Sequence, residues 1–390
     1  MERIGVDPAG IRLMIPKQFH HNLKLEGLTP VQANIIKQDM LSLGGEAAVS
    51  RGAASCSVAA TGCILSGTVK QLRRLAEKLG LQPYGLAEAA GEINSSLESL
   101  GSSRLVFKGR TREWDLSRRT LIMGVLNVTP DSFSDGGRFF EKEKAIGRAI
   151  EMLGEGADII DIGGESTRPG SAGVSPEEEK RRVIPVVEGL VGKGAVVSVD
   201  TTKADVAEEA LKLGAEVIND VSAMTRDARM AGVVRIYSCG VILMHSRGTP
   251  ETMQEMTHYG DLMAEIFDCL SERLDYAIAS GIGPEKTVID PGIGFAKSAA
   301  DNLEIIRRLS EFKTLGRPVC LGVSRKSFVR AVTGGRVGER LNATLAAASI
   351  GVLNGARIVR VHDVREAKEA VSMADAIMDT GFSFAAPEGI

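Results

Sequence analysis

Charged and amide side chains stand at the ends of short apolar runs in the C-terminal two thirds of the sequence. Four of them could bind a flat heterocycle: Asp200, Asn219, Asp290 and Lys326. The carboxylates of Asp200 and Asp290 can accept hydrogen bonds from ring N–H groups, and the Lys326 ammonium can donate to a ring carbonyl or ring nitrogen. A structural salt bridge from either carboxylate to Lys326 or Arg325 is the alternative interpretation, because buried charges are usually paired.

A second group of polar side chains has the chemistry of a phosphate site. Its members are Asn127, Thr167, Arg168, Arg360 and His362. Arginine binds phosphate oxygens through two parallel hydrogen bonds, and an amide oxygen is a suitable Mg²⁺ ligand when phosphates supply the others. Arg360 and His362 are two residues apart, which places both on one face of a strand and argues against a purely structural His362. We therefore predict that loss of the Arg360 side chain weakens phosphate binding and leaves heterocycle binding largely intact.

Two loops rich in Gly, Pro and Ser follow the first two apolar runs of this region. They are NVTPDSFSDGG (127–137) and GGESTRPG (163–170). Loops of this composition often close over a reaction, and Asp131, Phe133, Asp135 and Arg168 would lie at their tips. Mobile loops without a chemical role are the alternative.

Eight apolar runs, each followed by an amphipathic segment, must position these side chains. The runs are LIMGVLN (121–127), DIIDI (158–162), AVVSVD (195–200), EVIND (216–220), GVILMH (240–245), TVID (287–290), PVCLGVS (318–324) and RIVRVH (357–362). Near-continuous apolar strands that alternate with helices indicate a parallel sheet covered on both faces. Eight strand–helix units predict an α/β fold, the (β/α)8 TIM barrel, whose ligand site lies at the carboxyl ends of the strands. An open doubly wound sheet is the alternative.

The first 115 residues have a different pattern. Helices are predicted over 29–45, 68–80 and 86–101, with short strands at AAVSRG and CILSG. This combination indicates a small α+β N-terminal domain of unknown role at 1–115, followed by a catalytic barrel domain at 116–390. The segment 101–115 is either a linker or a hairpin at the bottom of the barrel.

Composition and charge limit the partners of the protein. A net charge of −3, from 47 basic and 50 acidic residues, gives no support for a nucleic-acid or anionic-membrane surface. Five cysteines without CxxC spacing argue against a disulfide framework, and the sequence has no run of about 18 apolar residues that could span a membrane. These features predict a cytoplasmic protein that acts on small molecules.

Seven motifs closely resemble those of the dihydropteroate synthase family. In chain order they are LNVTPDSFSDGG, DIGGESTRPG, SVDT, INDV, DPGIGFAK, SRKS and RVHDV, and they cover about residues 119–380. The resemblance implies a (β/α)8 barrel that joins p-aminobenzoate to 6-hydroxymethyl-7,8-dihydropterin diphosphate. The products would be 7,8-dihydropteroate and diphosphate, in a step of folate synthesis. It also implies a homodimer formed through the last helices.

The resemblance also implies roles for individual residues. Pterin contacts fall on Asp200, Asn219, Met244, Asp290 and Lys326. Diphosphate contacts fall on Asn127, Thr167, Arg168, Arg360 and His362, with Mg²⁺ between Asn127 and the diphosphate. Contacts to p-aminobenzoate fall on Phe133, Thr167, Pro169, Phe295, Lys326 and Ser327. Catalytic roles fall on Asp135, Arg168, Asp200 and Lys326.

The family reaction implied by these motifs is a dissociative displacement. Diphosphate leaves first while Mg²⁺, Arg and His side chains take up negative charge, and a neutral arylamine then attacks a cation that Asp200 and Asp135 stabilise. Two other classes of protein function remain open. A pterin-dependent methyltransferase on the same barrel would have no diphosphate for Arg360 and His362 to bind, and a non-catalytic pterin-binding regulator would be expected to have lost at least one motif.

Overall fold

The computed structural model describes residues 1–102, 104–129, 138–166, 170–171, 173–334 and 340–379. Six residues predicted to act in the site or its loops lie outside the described residues: Asp131, Phe133, Asp135, Thr167, Arg168 and Pro169. The chain divides into two compact units, Met1–Ser102 with Thr314–Gly316 and Ser103–Lys313 with Arg317–Ile390. Within the described part of the chain, no helix is long and apolar enough to cross a membrane.

The first unit is built on a three-stranded antiparallel sheet. Its elements are α1 (Pro8–Gln18), β1 (His20–Leu28), α2 (Pro30–Ser42), β2 (Glu46–Val49), α3 (Arg51–Ala54), β3 (Thr61–Thr68), α4 (Val69–Leu79) and α5 (Leu86–Gly101). The strands lie in the order β1–β3–β2, and their buried side chains share one core with α2, α4 and α5. Thr29 with Gln32 and Thr68 with Gln71 form capping boxes that satisfy unpaired N–H groups at the starts of α2 and α4.

Three elements of this unit, α1, β1 and α3, were not predicted. β1 has the sequence HHNLKLEGL and buries Leu23, Leu25 and Leu28, so its partly alternating pattern did carry a strand signal. α1 has Pro16 in its interior and no buried residue, so it lacks the apolar face by which a helix is recognised in a sequence. α3 has 4 residues, too few to show a helical period, and it begins inside the segment AAVSRG that was predicted as a strand.

The second unit contains a closed barrel of eight parallel strands. A hairpin of β4 (Val106–Lys108) and β5 (Glu113–Asp115) precedes it. The barrel strands are β6 (Leu121–Asn127), β7 (Ile159–Gly163), β8 (Val197–Asp200), β9 (Val217–Asp220), β10 (Gly240–Met244), β11 (Thr287–Asp290), β12 (Val319–Leu321) and β13 (Ala356–Val361). Strand β13 pairs with β6 and completes the ring. The predicted TIM barrel is therefore confirmed, and the open-sheet alternative is wrong.

The helices that alternate with these strands lie close to where the sequence predicts them. They are α6 (Arg138–Gly154), α7 (Pro176–Val191), α8 (Ala204–Leu213), α9 (Met230–Tyr237), α10 (Leu262–Ala279), α11 (Ala299–Arg307), α12 (Ser327–Thr333), α13 (Leu341–Leu353) and α14 (Val364–Met378). Ser175 caps α7 by accepting from the Glu178 N–H at 3.2 Å. Gly214 ends α8 with a φ of 112°, a left-handed conformation that favours glycine. The short α12 was not predicted, because 7 residues are too few to show a helical period.

The β4–β5 hairpin packs against the amino end of the barrel. Phe107 stacks on Trp114 with ring centroids 5.3 Å apart. Phe107 and Leu116 share a buried cluster with side chains from the barrel strands, among them Leu121 and Ile159. Residues 103–115, which the sequence-based division assigned to the N-terminal domain, belong to the second unit of the structure. The polar groups of the candidate site lie at the opposite, carboxyl end of the strands.

Candidate active site

A buried network of two carboxylates, an amide and a guanidinium lies inside the barrel toward its carboxyl end. Nε of Arg360 donates to Oδ2 of Asp161 at 2.6 Å, and Nη2 of Arg360 donates to Oδ2 of Asp200 at 2.7 Å. Nδ2 of Asn219 donates to the same oxygen of Asp161 at 2.9 Å. Strands β7, β8, β9 and β13 thus each supply one side chain. Charge-assisted hydrogen bonds of this kind fix the directions of the guanidinium and the amide.

The charges of this network perturb one another. Burial raises the pKa of Asp200, the Arg360 guanidinium lowers it, and the Asp161 carboxylate raises it again. Burial lowers the pKa of Arg360, but the two carboxylates outweigh burial and keep the guanidinium charged. Oδ1 of Asp161 is buried without a hydrogen-bond partner among the described residues. Such an atom costs free energy unless water or a ligand pairs with it.

Asp290 and Lys326 are two further ionisable groups at this end of the barrel, and each shifts the pKa of the other. Oδ1 of Asp290 accepts from the Gly292 N–H at 2.7 Å, and burial raises the pKa of Asp290 while Lys326 lowers it. Nζ of Lys326 donates to the Ile293 carbonyl and lies 4.7 Å from the ring centroid of Phe295. Burial lowers the pKa of Lys326 to about 8, and Asp290 opposes that shift. The pKa of this ammonium therefore lies well below the usual value for lysine.

The salt bridge of Asp200 differs from the one that the sequence suggested as an alternative to ligand binding. Asp200 pairs with Arg360 rather than with Lys326 or Arg325. Arg325 forms two hydrogen bonds with Asp363, at 3.2 and 2.5 Å. The sequence predicts that Asp200 binds the heterocycle and that Arg360 binds phosphate. The salt bridge between them therefore connects the two predicted groups of residues.

Asn127 and His362 lie at the ends of β6 and β13. A Cβ placed on Gly163 would be 3.8 Å from Oδ1 of Asn127 and 3.7 Å from Cβ of Asp200. The glycine therefore leaves the space between Asn127 and Asp200 open. Nδ1 of His362 lies 3.0 Å from Oγ of Ser324, and the His362 backbone N–H donates to the same oxygen at 3.3 Å. Ser324 thus holds the imidazole through its Nδ1 edge.

The remaining described residues of the prediction lie at the same end of the barrel. Met244 is buried at the end of β10 and is the register partner of Asp290. Ser327 is exposed and begins α12 directly after Lys326. One cleft includes both Asp200 and Phe295 in its lining.

Two residues of this arrangement, Asp161 and Ser324, were not predicted as site residues. A single carboxylate inside an apolar strand is costly to bury unless it is paired, so the run DIIDI carried a signal for Asp161. Ser324 carried no such signal, because its contact with His362 depends on β12 and β13 being neighbours.

Comparison with known proteins agrees with this geometry. Residues 123–362 match the family described as pterin binding enzyme. A dihydropteroate synthase of Synechocystis sp. is 45% identical over 266 residues, which are 68% of this chain and 92% of that protein. The chain belongs to the dihydropteroate synthase family. A solved structure of dihydropteroate synthase from Xanthomonas albilineans with 4-aminobenzoic acid is 40% identical, with a TM-score of 0.66 over 71% of this chain and 99% of that one.

Members of the dihydropteroate synthase family differ in what surrounds the barrel. A probable bifunctional folylpolyglutamate synthase/dihydropteroate synthase of Halobacterium salinarum is 41% identical over 376 residues, or 96% of this chain. The chain spans 45% of the length of that relative. Because the match to the Halobacterium salinarum protein covers 96% of the chain, it includes most of the first unit.

Proposed function

We propose that the protein is a dihydropteroate synthase. It joins p-aminobenzoate to 6-hydroxymethyl-7,8-dihydropterin diphosphate and releases 7,8-dihydropteroate and diphosphate in folate biosynthesis. The observation that carries the proposal is the fixed network of Asp161, Asp200, Asn219 and Arg360 at the carboxyl end of the barrel. A pterin presents N–H donors and ring acceptors along one edge, and a rigid set of acceptors and donors recognises such an edge. Family membership supports the same reaction.

The pterin would lie among five side chains: Asp200, Asn219, Met244, Asp290 and Lys326. The carboxylates accept from the pterin N–H and amino groups, and Lys326 donates to the ring carbonyl or a ring nitrogen. Met244 supplies apolar surface for the ring. The burial of Asp200 and Asp290 supports this assignment, since desolvated carboxylates favour a ligand that brings its own donors.

The diphosphate would be held by Asn127, Arg360 and His362, together with Thr167 and Arg168. Among the described residues, no group of three or more His, Cys, Asp or Glu side chains could hold a metal ion. Asn127 nevertheless fits Mg²⁺, because its amide oxygen is a hard ligand and diphosphate oxygens and water can complete the coordination. Bound there, Mg²⁺ would offset negative charge on the diphosphate.

The arylamine would lie against Phe295, Lys326 and Ser327, with Phe133, Thr167 and Pro169 from the two long loops. The ammonium of Lys326 suits the carboxylate of p-aminobenzoate. Its position 4.7 Å from the Phe295 ring centroid supports a site that binds an aromatic anion.

The reaction breaks the bond between the pterin methylene carbon and a diphosphate oxygen, and the electron pair leaves with the diphosphate. Arg360 and His362 hold the negative charge of the leaving group. Asp200, with Asp135, stabilises the cation that spreads from the methylene into the ring. The neutral arylamine nitrogen then attacks the methylene carbon and releases one proton to water. Arg168 and Lys326 keep the two substrates together during this step.

We also propose a homodimer formed through α13 and α14, and a cytoplasmic location. The exposed apolar side chains on these helices support the dimer: Ile350, Leu353, Met373 and Ile377. Light scattering of the double variant Met373→Glu, Ile377→Glu should show a monomer. Ile236→Glu, which alters an exposed apolar residue on α9, should leave the dimer intact.

Diphosphate release by the purified protein tests the proposed reaction. The assay contains the pterin diphosphate, p-aminobenzoate and Mg²⁺, with controls that omit each component in turn. We expect release that depends on the arylamine and yields 7,8-dihydropteroate. Tight pterin binding without any release would contradict the proposal and favour the methyltransferase or the regulatory binding protein.

A further inference from the structure

The loop after β11, residues 291–297, has a backbone that needs support. Gly292, Gly294 and Ala296 have positive φ angles of 71°, 82° and 50°. Ala296 is not a glycine, and side-chain-bearing residues adopt this region only when surrounding contacts impose it. Backbone strain of this kind is concentrated at functional sites.

Lys297, the last residue of this loop, is buried together with His245. Lys297 is 4% exposed and His245 is 2% exposed. Nζ of Lys297 is 2.9 Å from Nδ1 of His245 and donates to the carbonyl of Phe295 at 3.0 Å. His245 is itself fixed, because its backbone N–H donates to the Asp290 carbonyl at 2.9 Å. A side chain at Gly292 would collide with His245, since a Cβ there would be 1.9 Å from the His245 carbonyl oxygen.

The cost of burying this lysine indicates that it has a specific task. Lysine is almost never fully buried unless it is paired with an opposite charge. The hydrogen-bond partners of Lys297 are a carbonyl and an imidazole, and the Asp290 carboxylate offsets part of the effect of burial on its pKa. Burial lowers the pKa of Lys297 to about 7 and that of His245 to about 2. His245 is therefore a neutral ring at physiological pH, and Lys297 can donate in either protonation state.

The supported loop carries the groups proposed to hold the arylamine. Phe295 presents the aromatic ring, and the neighbouring Ile293 carbonyl accepts from Nζ of Lys326. A shift of the loop would therefore move the Phe295 ring and the Lys326 ammonium together. Tyr259 and Asn302 also support the loop, through the Ala296 carbonyl at 3.0 Å and the Gly294 N–H at 2.7 Å. Lys297 differs from them because it holds the carbonyl of Phe295 itself.

We propose that Lys297, held by His245, is a positioning residue that sets the Phe295 ring for the arylamine. This inference rests on the proposed synthase reaction. Lys297 touches no proposed substrate position and acts through the Phe295 carbonyl. Because Phe295 is assigned to the arylamine alone, loss of the lysine should affect the arylamine more than the pterin diphosphate.

Steady-state diphosphate release by the full-length Lys297→Met variant tests this difference. Methionine keeps a similar volume, so the barrel should remain folded, and circular dichroism with thermal melting checks this. We expect KM for p-aminobenzoate to rise by about tenfold or more, while KM for the pterin diphosphate changes by less than about threefold. Equal effects on both substrates, or no effect on either, would overturn the proposal.

Two further variants separate positioning from general stability. Lys286→Met is the matched control, because Lys286 precedes β11 and donates to the carbonyls of Gly109 and Ser238, at 3.0 and 2.5 Å. It should leave both KM values unchanged. Lys297→Gln keeps an N–H donor for the Phe295 carbonyl and should restore most of the arylamine affinity.

A double-mutant cycle with Phe295→Leu tests whether Lys297 acts through that residue. We expect the double variant to be no worse for the arylamine than Phe295→Leu alone. Additive effects would contradict the proposed route. Hydrogen exchange gives a readout that needs no turnover: amides of residues 292–297 should exchange about tenfold faster in Lys297→Met than in Lys286→Met. Unchanged exchange would reject the inference even if the wild-type protein lacked synthase activity.

Discussion

Arg360 and Asp200 are joined by a hydrogen bond of 2.7 Å between Nη2 and Oδ2. Arg360 uses its Nε for Asp161, at 2.6 Å. One guanidinium is therefore paired with two buried carboxylates, one of which is assigned to the pterin. Because Asp200 is proposed to bind the pterin and Arg360 the diphosphate, this contact predicts that Arg360 affects the binding of both.

Arg360→Ala is expected to weaken binding of a pterin without diphosphate, as well as binding of the pterin diphosphate. Its removal leaves Asp161 and Asp200 buried without their cation, and breaking a buried ion pair in this way is strongly destabilising. Calorimetry should show Kd for the bare pterin rising by at least about tenfold. Arg360→Lys should recover only part of this loss, because a lysine ammonium cannot reproduce the hydrogen bonds that the planar guanidinium donates to Asp161 and Asp200.

The matched control is Arg325→Ala, which removes another arginine paired with a carboxylate, that of Asp363. It should change Kd for the bare pterin by less than about twofold. If Arg360→Ala leaves bare pterin binding intact, the division predicted from the sequence was right and the network is not part of the pterin site.

Asp161→Asn is expected to lower pterin affinity by about tenfold. Asp161 accepts hydrogen bonds from both Arg360 and Asn219. The asparagine side chain has no negative charge, and its amide nitrogen cannot accept a hydrogen bond from either partner. Titration of the folded variant with pterin measures the effect. Ser198→Ala is the control, because Ser198 is the buried register partner of Asp161 on β8, and its removal should be close to neutral.

The pH dependence of arylamine binding should follow Lys326. Burial lowers the pKa of Lys326 from 10.5 to about 8, so the ammonium is present below that pH and is lost above it. KM for the anionic arylamine should therefore rise as pH increases through 8, by about tenfold per unit at the alkaline end. Measurements between about pH 6 and pH 10 test this. Lys326→Arg, which stays charged, should show a flat profile; the same alkaline rise in that variant would assign the titration to another group.

The β4–β5 hairpin should be needed for a stable barrel. Phe107 is fully buried in the cluster at the amino end of the strands, so a fragment 116–390 loses that ring and its partner Trp114. We expect 116–390 to melt at least about 5 °C below 103–390, because removing a buried aromatic side chain costs several kcal/mol. Thermal melting of both fragments measures the difference. Equal melting temperatures would show that the hairpin does not stabilise the barrel.

The order of elements and the polar ends of the barrel strands could be predicted from local pattern. Runs such as TVID and LIMGVLN are apolar throughout because both faces of a parallel strand are buried, and their ends in the structure match the prediction. The polar residue that closes each run was recognisable because water or a ligand must satisfy it. In contrast, α1 has no buried face, so its sequence offered no such pattern.

The sequence by itself determined the barrel and the polar ends of its strands, because these depend on periodicity over a few residues. Only the tertiary structure decided which of those side chains bind one another. Arg360 lies 199 residues from Asp161 and 160 residues from Asp200 along the chain. Contacts at such separations depend on the closure of the barrel, which brings β13 beside β6 and turns these residues toward one interior. Local patterns contain no information about that geometry.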